Sequence, residues 1–239
     1  MRGRVLGGLM ACALGAWPAA AAAEPASGPH GTIEQTYTSS VPGTPTGSTF
    51  KGTYHAAGDP NGDPPYMRGM TFHPPAGARY DTSVPDKCTA TDAEIGLRGP
   101  SACPPGSHLG SGTGIAKAMG QVNEVPIEMF NNTDEVVLII RSPGVYTISR
   151  GKIAPDQSVT FKSPTCYPSV NVAGCPVDNA LQLGSHMVTP EYVRDGRAYL
   201  TTPPTCPESG SWETQVYFWW ADGTDETIVT RQPCQQPAQ

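Results

Sequence analysis

Cys88 and Cys103, Cys166 and Cys175, and Cys206 and Cys234 fall along the chain as three close pairs. The chemistry that such thiols can do is to bind metal or to oxidise. None of the pairs has the C-x-x-C spacing of a structural zinc site, so the reading is a disulfide framework in an oxidising compartment. Adjacent pairing is one of about 15 connectivities open to six cysteines, and it rests on proximity and on the Pro and Gly between the partners. In the chain-entropy model each bond stabilises by roughly 2–4 kcal/mol through restriction of the unfolded chain.

The other reactive residue types do not gather into a recognisable catalytic set. His30, His55, His73, His108 and His186 lack an H-x-x-x-H partner, and no G-x-S-x-G run occurs. Ser107-His108 and Ser185-His186 are neighbours, and neighbours on a strand point to opposite faces. Glu124, Glu128, Asp134 and Glu135 form the densest acidic group and are the residues that a glycoside hydrolase mechanism would draw on. Asp59, Asn61 and Asp63 alternate as the first ligands of a calcium loop do, but Pro64 stands where such a loop needs glycine. No metal or other cofactor is therefore expected. Asn131-Asn132-Thr133 fits a glycosylation acceptor or a turn. Tyr217 and Trp219 are the candidate binding residues: alternation from Trp212 to Trp220 puts Val216, Phe218 and Trp220 on one face and these two rings on the other, where they form either an outward platform or, if the strand is covered on both sides, part of the core.

The elements that must carry these residues are short strands. Phe50, Gly52 and Tyr54, then Met70 and Phe72, then Val125, Ile127 and Met129 repeat with a period of two. Val136 to Ile140 is continuously apolar and β-branched, the pattern of a strand covered on both faces. Further strands are expected at Val145–Ser149, Ser158–Lys162, Ala180–Val188 and Ala198–Thr202, and helical spacing never lasts three turns. Trp212–Trp220 and Glu226–Arg231 flank Asp222-Gly223 and predict a hairpin closed at its base by Cys206 and Cys234. The expected fold is all-β, a single loop-rich antiparallel β-sandwich stapled by disulfides, over residues 48–239.

Upstream of it, residues 24–47 read as a flexible leader, with one edge strand at Thr32–Thr36. Residues 1–23 carry Arg2 and Arg4, an apolar stretch and an alanine run, the order of a secretory signal peptide cut near Ala23. The rival is a lipoprotein box ending at Cys12. No segment is long enough for a transmembrane anchor, so a secreted, extracellular protein is expected. With 21 acidic against 15 basic residues and no basic run, nucleic acid is excluded as a partner.

Phe72-His73-Pro74-Pro75-Ala76-Gly77, Cys88 and Cys103-Pro104-Pro105-Gly106-Ser107-His108-Leu109-Gly110 resemble a pattern in uncharacterised exported actinobacterial proteins, and so does the block from Tyr199 to Cys234. The resemblance implies an exported β-rich protein and carries no catalytic residues. The functional expectation is a non-catalytic cell-surface or extracellular binding or structural module whose partner is a glycan or a cell-surface protein. Two alternatives are a secreted carbohydrate-active enzyme with paired carboxylates and an inhibitor presenting a loop between Cys166 and Cys175.

Overall fold

The computed structural model of the chain describes residues 25–118, 120–142, 144–162 and 180–235, and the backbone of 165–166. The expected signal peptide, Cys12 and the Cys166–Cys175 pairing lie outside the described residues. In chain order the strands are β1 (Ala26–Gly28), β2 (Gly31–Tyr37), β3 (Ser48–Tyr54), β4 (Met67–His73), β5 (Arg79–Tyr80), β6 (His108–Ala118), β7 (Gln121–Asn132), β8 (Glu135–Ser142) and β9 (Val145–Ile153). They continue as β10 (Val159–Lys162), β11 (Thr165–Cys166), β12 (Ala180–Thr189), β13 (Val193–Arg194), β14 (Arg197–Ala198), β15 (Leu200–Thr201), β16 (Ser211–Trp220) and β17 (Asp225–Pro233). One helix, α1 (Asp92–Arg98), lies between β5 and β6.

The protein is all-β, but the expected pair of stacked sheets is not what forms. A single antiparallel sheet runs β1-β2-β3-β12-β6-β7-β8-β9-β10-β4-β16-β17 and curls until its two ends meet as a nearly closed barrel. Four long-range pairings, β3 with β12, β12 with β6, β4 with β10 and β4 with β16, turn what would be local hairpins into one continuous wall. Where β17 comes against β1 and β2 there is no main-chain ladder. Side chains close the gap: Glu226 Oε2 accepts from the His30 amide at 3.2 Å, and the Gln232 amide bonds both main-chain groups of Tyr37. The segment read as a leader thus supplies part of the wall, with Ile33 fully buried. Its alternation is carried by Ile33, Gln35 and Tyr37, too polar a set to announce a buried strand.

Alternation along the strands places apolar side chains in the lumen and polar ones outside. Val125, Ile127 and Met129 face inward and Glu124, Pro126 and Glu128 outward. The run Val136–Ile140 is covered on both sides, as its composition required. Val136, Leu138 and Ile140 face the lumen, while Val137 and Ile139 pack outside against Cys88, Ile95, Cys103 and Phe130. That outer layer is the loop held by Cys88–Cys103, whose Cα atoms are 4.7 Å apart. Arg150 ties it to the wall, donating to Asp92, Glu135 and the Ala90 carbonyl. Helix α1 within this loop begins at a capping box, Thr91 with Glu94, a T-x-x-E signal legible in the sequence but passed over.

The two ends of the barrel differ. At one, β5 pairs with β15, and Tyr80, Tyr199 and Leu200 plug the lumen, with the Tyr80 and Tyr199 rings 5.7 Å apart. The disulfide Cys206–Cys234 lies at this plugged end, at the base of the β16–β17 hairpin, with Cα atoms 5.7 Å apart. The hairpin has the expected turn: Gly223 takes φ 87°, and Asp222 Oδ1 accepts from the amide and hydroxyl of Thr224. At the other end lie the β1–β2, β6–β7, β8–β9 and β16–β17 turns, which form a rim.

Candidate functional site

The lumen is not filled. Between β2, β3, β4, β16 and β17 it is packed by Ile33, Tyr54, Val216, Phe218, Trp220 and Ile228. Beside this packing lie two adjoining chambers. The upper, of about 190 Å³, extends to the rim at Met67, Ser142 and Ala180 and is walled by Val125, Ile127 and Ile140. The lower, of about 120 Å³, lies over the plug between Leu109, Val136, Val159, Tyr199 and Leu200. Phe50, Met70, Leu138, Phe161 and Met187 line both and form the waist between them.

The space exists because of particular small residues on the inner face of β6. Gly112 and Gly114 stand opposite Met187 and Ser185 on one side and Ile127 and Val125 on the other. A Cβ on Gly114, which lines the upper chamber, would come 3.1 Å from Val125, and one on Gly112 would clash with the His186 carbonyl oxygen of the neighbouring strand. A side chain at Gly114 would narrow the upper chamber, and the absence of one at Gly112 lets β6 lie close against β12.

Polar groups on the chamber walls are neutral. Ser142, Thr147, Ser149, Gln182 and Ser185 line the upper chamber. The Ser149 hydroxyl donates to the Lys162 carbonyl at 2.9 Å, and Ser185 Oγ lies 3.4 Å from the Tyr54 hydroxyl. Burial pushes the Tyr54 phenol up to about 12, against the Ser185 contact that lowers it, so the group stays protonated. Lys162 is the one charged residue among the described residues lining either chamber. Its side chain points outward: Phe161, beside Met70 on the neighbouring strand, faces the lumen, so the next residue along β10 faces the outer surface, and Lys162 is exposed.

Tyr217 and Trp219 stand on the outer wall, away from both chambers. Their rings stack with centroids 5.8 Å apart at 29°, and Trp219 lies over Gly69, where a Cβ would meet its ring. A hydrogen bond to the Asp225 carboxylate, with some burial, raises the Tyr217 phenol above its ordinary value. Of the candidate carboxylates, Glu124 is exposed on the outer face of β7 and the other three have structural roles. Glu128 meets His108 at 2.6 Å on the outside, Glu135 binds Arg150 and Asn132, and Asp134 sits in the β7–β8 turn at φ 49°. Asp59 Oδ1 accepts from the Asn61 amide, and Asp63 pairs with Lys117, so this stretch serves as a turn tied to β6. Among the described residues, no three His, Cys, Asp or Glu side chains gather as metal ligands.

Ser107 is fully buried with its hydroxyl on the Pro104 carbonyl, while His108 is exposed. Asn131 corrects the glycosylation reading. It is fully buried, and its Nδ2 donates to the carbonyls of Thr82, Pro85 and Asp86, fastening the outer loop to β7. Sequence reasoning passed over the lumen because its walls come from strands distant along the chain. The one local hint was the run Gly110-Ser111-Gly112-Thr113-Gly114, glycines on alternate positions of a strand.

Compared with known proteins, the chain matches no family model, and no curated protein or solved structure is significantly similar to it.

Proposed function

We propose that this is an exported, non-catalytic binding protein that holds a small apolar molecule inside its barrel. The observation that carries the reading is the pair of adjoining chambers, walled mostly by aliphatic, Met and Phe side chains with a minority of neutral polar ones. An apolar cavity of about 150 Å³ is enough to stay dry and bind benzene in another protein, and the upper chamber alone exceeds that. Apolar concavity with a few neutral polar groups is the ordinary character of a small-molecule site. Export is supported by two disulfides, bonds that persist in oxidising compartments, and by the leader-like residues 1–23. Among the described residues no helix is long and apolar enough to cross a membrane.

Titration of the purified protein with the neutral apolar fluorophore Nile red tests this. Saturable binding with a blue-shifted emission is expected, abolished by Ile140→Trp, which fills the upper chamber. Absence of saturable binding by the folded protein overturns the reading. A second reading concerns the stacked Tyr217–Trp219 pair, which presents aromatic faces outward in the manner of a sugar or protein contact. A glycan and cell-wall binding screen comparing the intact protein with Trp219→Ala tests it, and equal binding by the two removes it.

A further inference from the structure

Resting on the lumen as the binding site, we infer that the molecule held there is an uncharged, single-chain aliphatic compound with a hydroxyl or carbonyl head, such as a long-chain alcohol or ester. Its head lies in the upper chamber and its tail passes the waist. Two features of the walls lead here.

The first is charge. Every polar side chain among the described residues that line the upper chamber and point into it is neutral, and Lys162 turns its ammonium to the outer surface. An ionised head drawn into this space meets no countercharge, and burial of an unpaired charge is far more costly than burial of a hydroxyl that finds one partner. Thr147 and Ser185 offer such partners to a hydroxyl or carbonyl, and Ser149, whose proton lies on the Lys162 carbonyl, accepts from a hydroxyl.

The second is shape. The waist brings Phe50, Met70, Leu138, Phe161 and Met187 together. Two of these are methionines, unbranched side chains that repack around a slender guest. A fused-ring ligand would stop in the upper chamber, and a linear chain can continue into the lower one. Lumen positions along β8 run from Ser142 through Ile140 and Leu138 to Val136. That is seven residues of strand, six rises, on the order of 20 Å of path. A chain lying along it stays against apolar walls until it reaches Tyr199 and Leu200.

The test is displacement of Nile red from the intact protein by a series of primary alcohols and by the matching carboxylates, at a pH well above the carboxylate range. Alcohol affinity is expected to rise about fourfold per methylene until the lower chamber is full. The ionised acid of the same length is expected to bind at least about 100-fold more weakly. Leu138→Trp, which narrows the waist, is expected to remove the affinity gain from added methylenes. Met187→Phe narrows the same passage from the facing wall and serves if Leu138→Trp does not fold. An acid that binds as tightly as its alcohol, or a chain-length series unchanged in both waist variants, overturns the inference while leaving the lumen as a binding site. Failure of Nile red itself to bind would instead remove the reading on which the inference rests.

Discussion

Gln232 treats Tyr37 as a neighbouring strand would: its Oε1 accepts from the Tyr37 amide at 2.6 Å and its Nε2 donates to the Tyr37 carbonyl at 2.9 Å. One side-chain amide thereby replaces the two main-chain bonds that a closed ladder would supply at this point. Gln232 and Tyr37 are both buried, so neither main-chain group can turn to water instead. Gln232→Leu is expected to strand both and to cost about 2–4 kcal/mol in urea unfolding. A loss below about 0.5 kcal/mol would show that the seam closes by other means.

Neighbouring isoleucines of β8 should respond unequally to truncation. Ile139 is 1% exposed and wedged under the Cys88–Cys103 loop, so Ile139→Ala leaves a sealed void and should cost about 3–4 kcal/mol. Ile140 is partly buried and borders the upper chamber instead of close-packed side chains, so Ile140→Ala should cost about 1–2 kcal/mol. Equal losses in parallel denaturation curves would contradict the assignment of these two residues to opposite faces.

Peptide mapping of the oxidised protein should recover Cys88 joined to Cys103 and Cys206 joined to Cys234. The second bond spans 28 residues and the first 15. In the chain-entropy model, paired Cys→Ala replacement should therefore cost roughly 3 kcal/mol at either bond, a few tenths more for Cys206–Cys234. Recovery of crossed pairs, or of free thiols at these four positions, contradicts the fold.

Alkaline pH should unfold the protein cooperatively. Burial raises the phenols of Tyr37, Tyr54, Tyr80 and Tyr199 above their ordinary value, Tyr54 to about 12. A phenol whose pKa is raised by folding adds stability that is whole below its unfolded value of about 10 and is lost as pH rises toward the folded one. Tyrosinate absorbance from these residues should appear together with loss of the β-sheet circular dichroism signal. Their ionisation near pH 10 with the signal intact would show that they are not buried.

What could be read from the residues is what short range decides. The β16–β17 hairpin follows from Asp222-Gly223 and the alternation on either side, and the two-sided cover of Val136–Ile140 follows from its unbroken apolar composition. Closure into a barrel was not legible, because the pairings of β3 with β12 and of β4 with β10 and β16 join segments far apart, and periodicity carries no record of the partner. The seam was hidden for a second reason. It is made by Glu226 and Gln232, residues whose type reads as solvent-facing until the burial around them is seen. Of the candidate site, Val125, Ile127, Met129 and Met70 were recognised as inward-facing, but not that some of them border a space.

The bonds that Gln232 makes to Tyr37 also bear on how molecules of this protein meet one another. A sheet that stops has exposed rows of amides and carbonyls on its first and last strands, and these rows are templates on which another chain can add. Here the terminal strands are turned toward each other within one molecule, and Glu226 and Gln232 bond three main-chain groups at the seam, the His30 amide and the amide and carbonyl of Tyr37. The seam therefore acts against self-association, and a weakened stitch would first be visible as concentration-dependent strand exchange between copies.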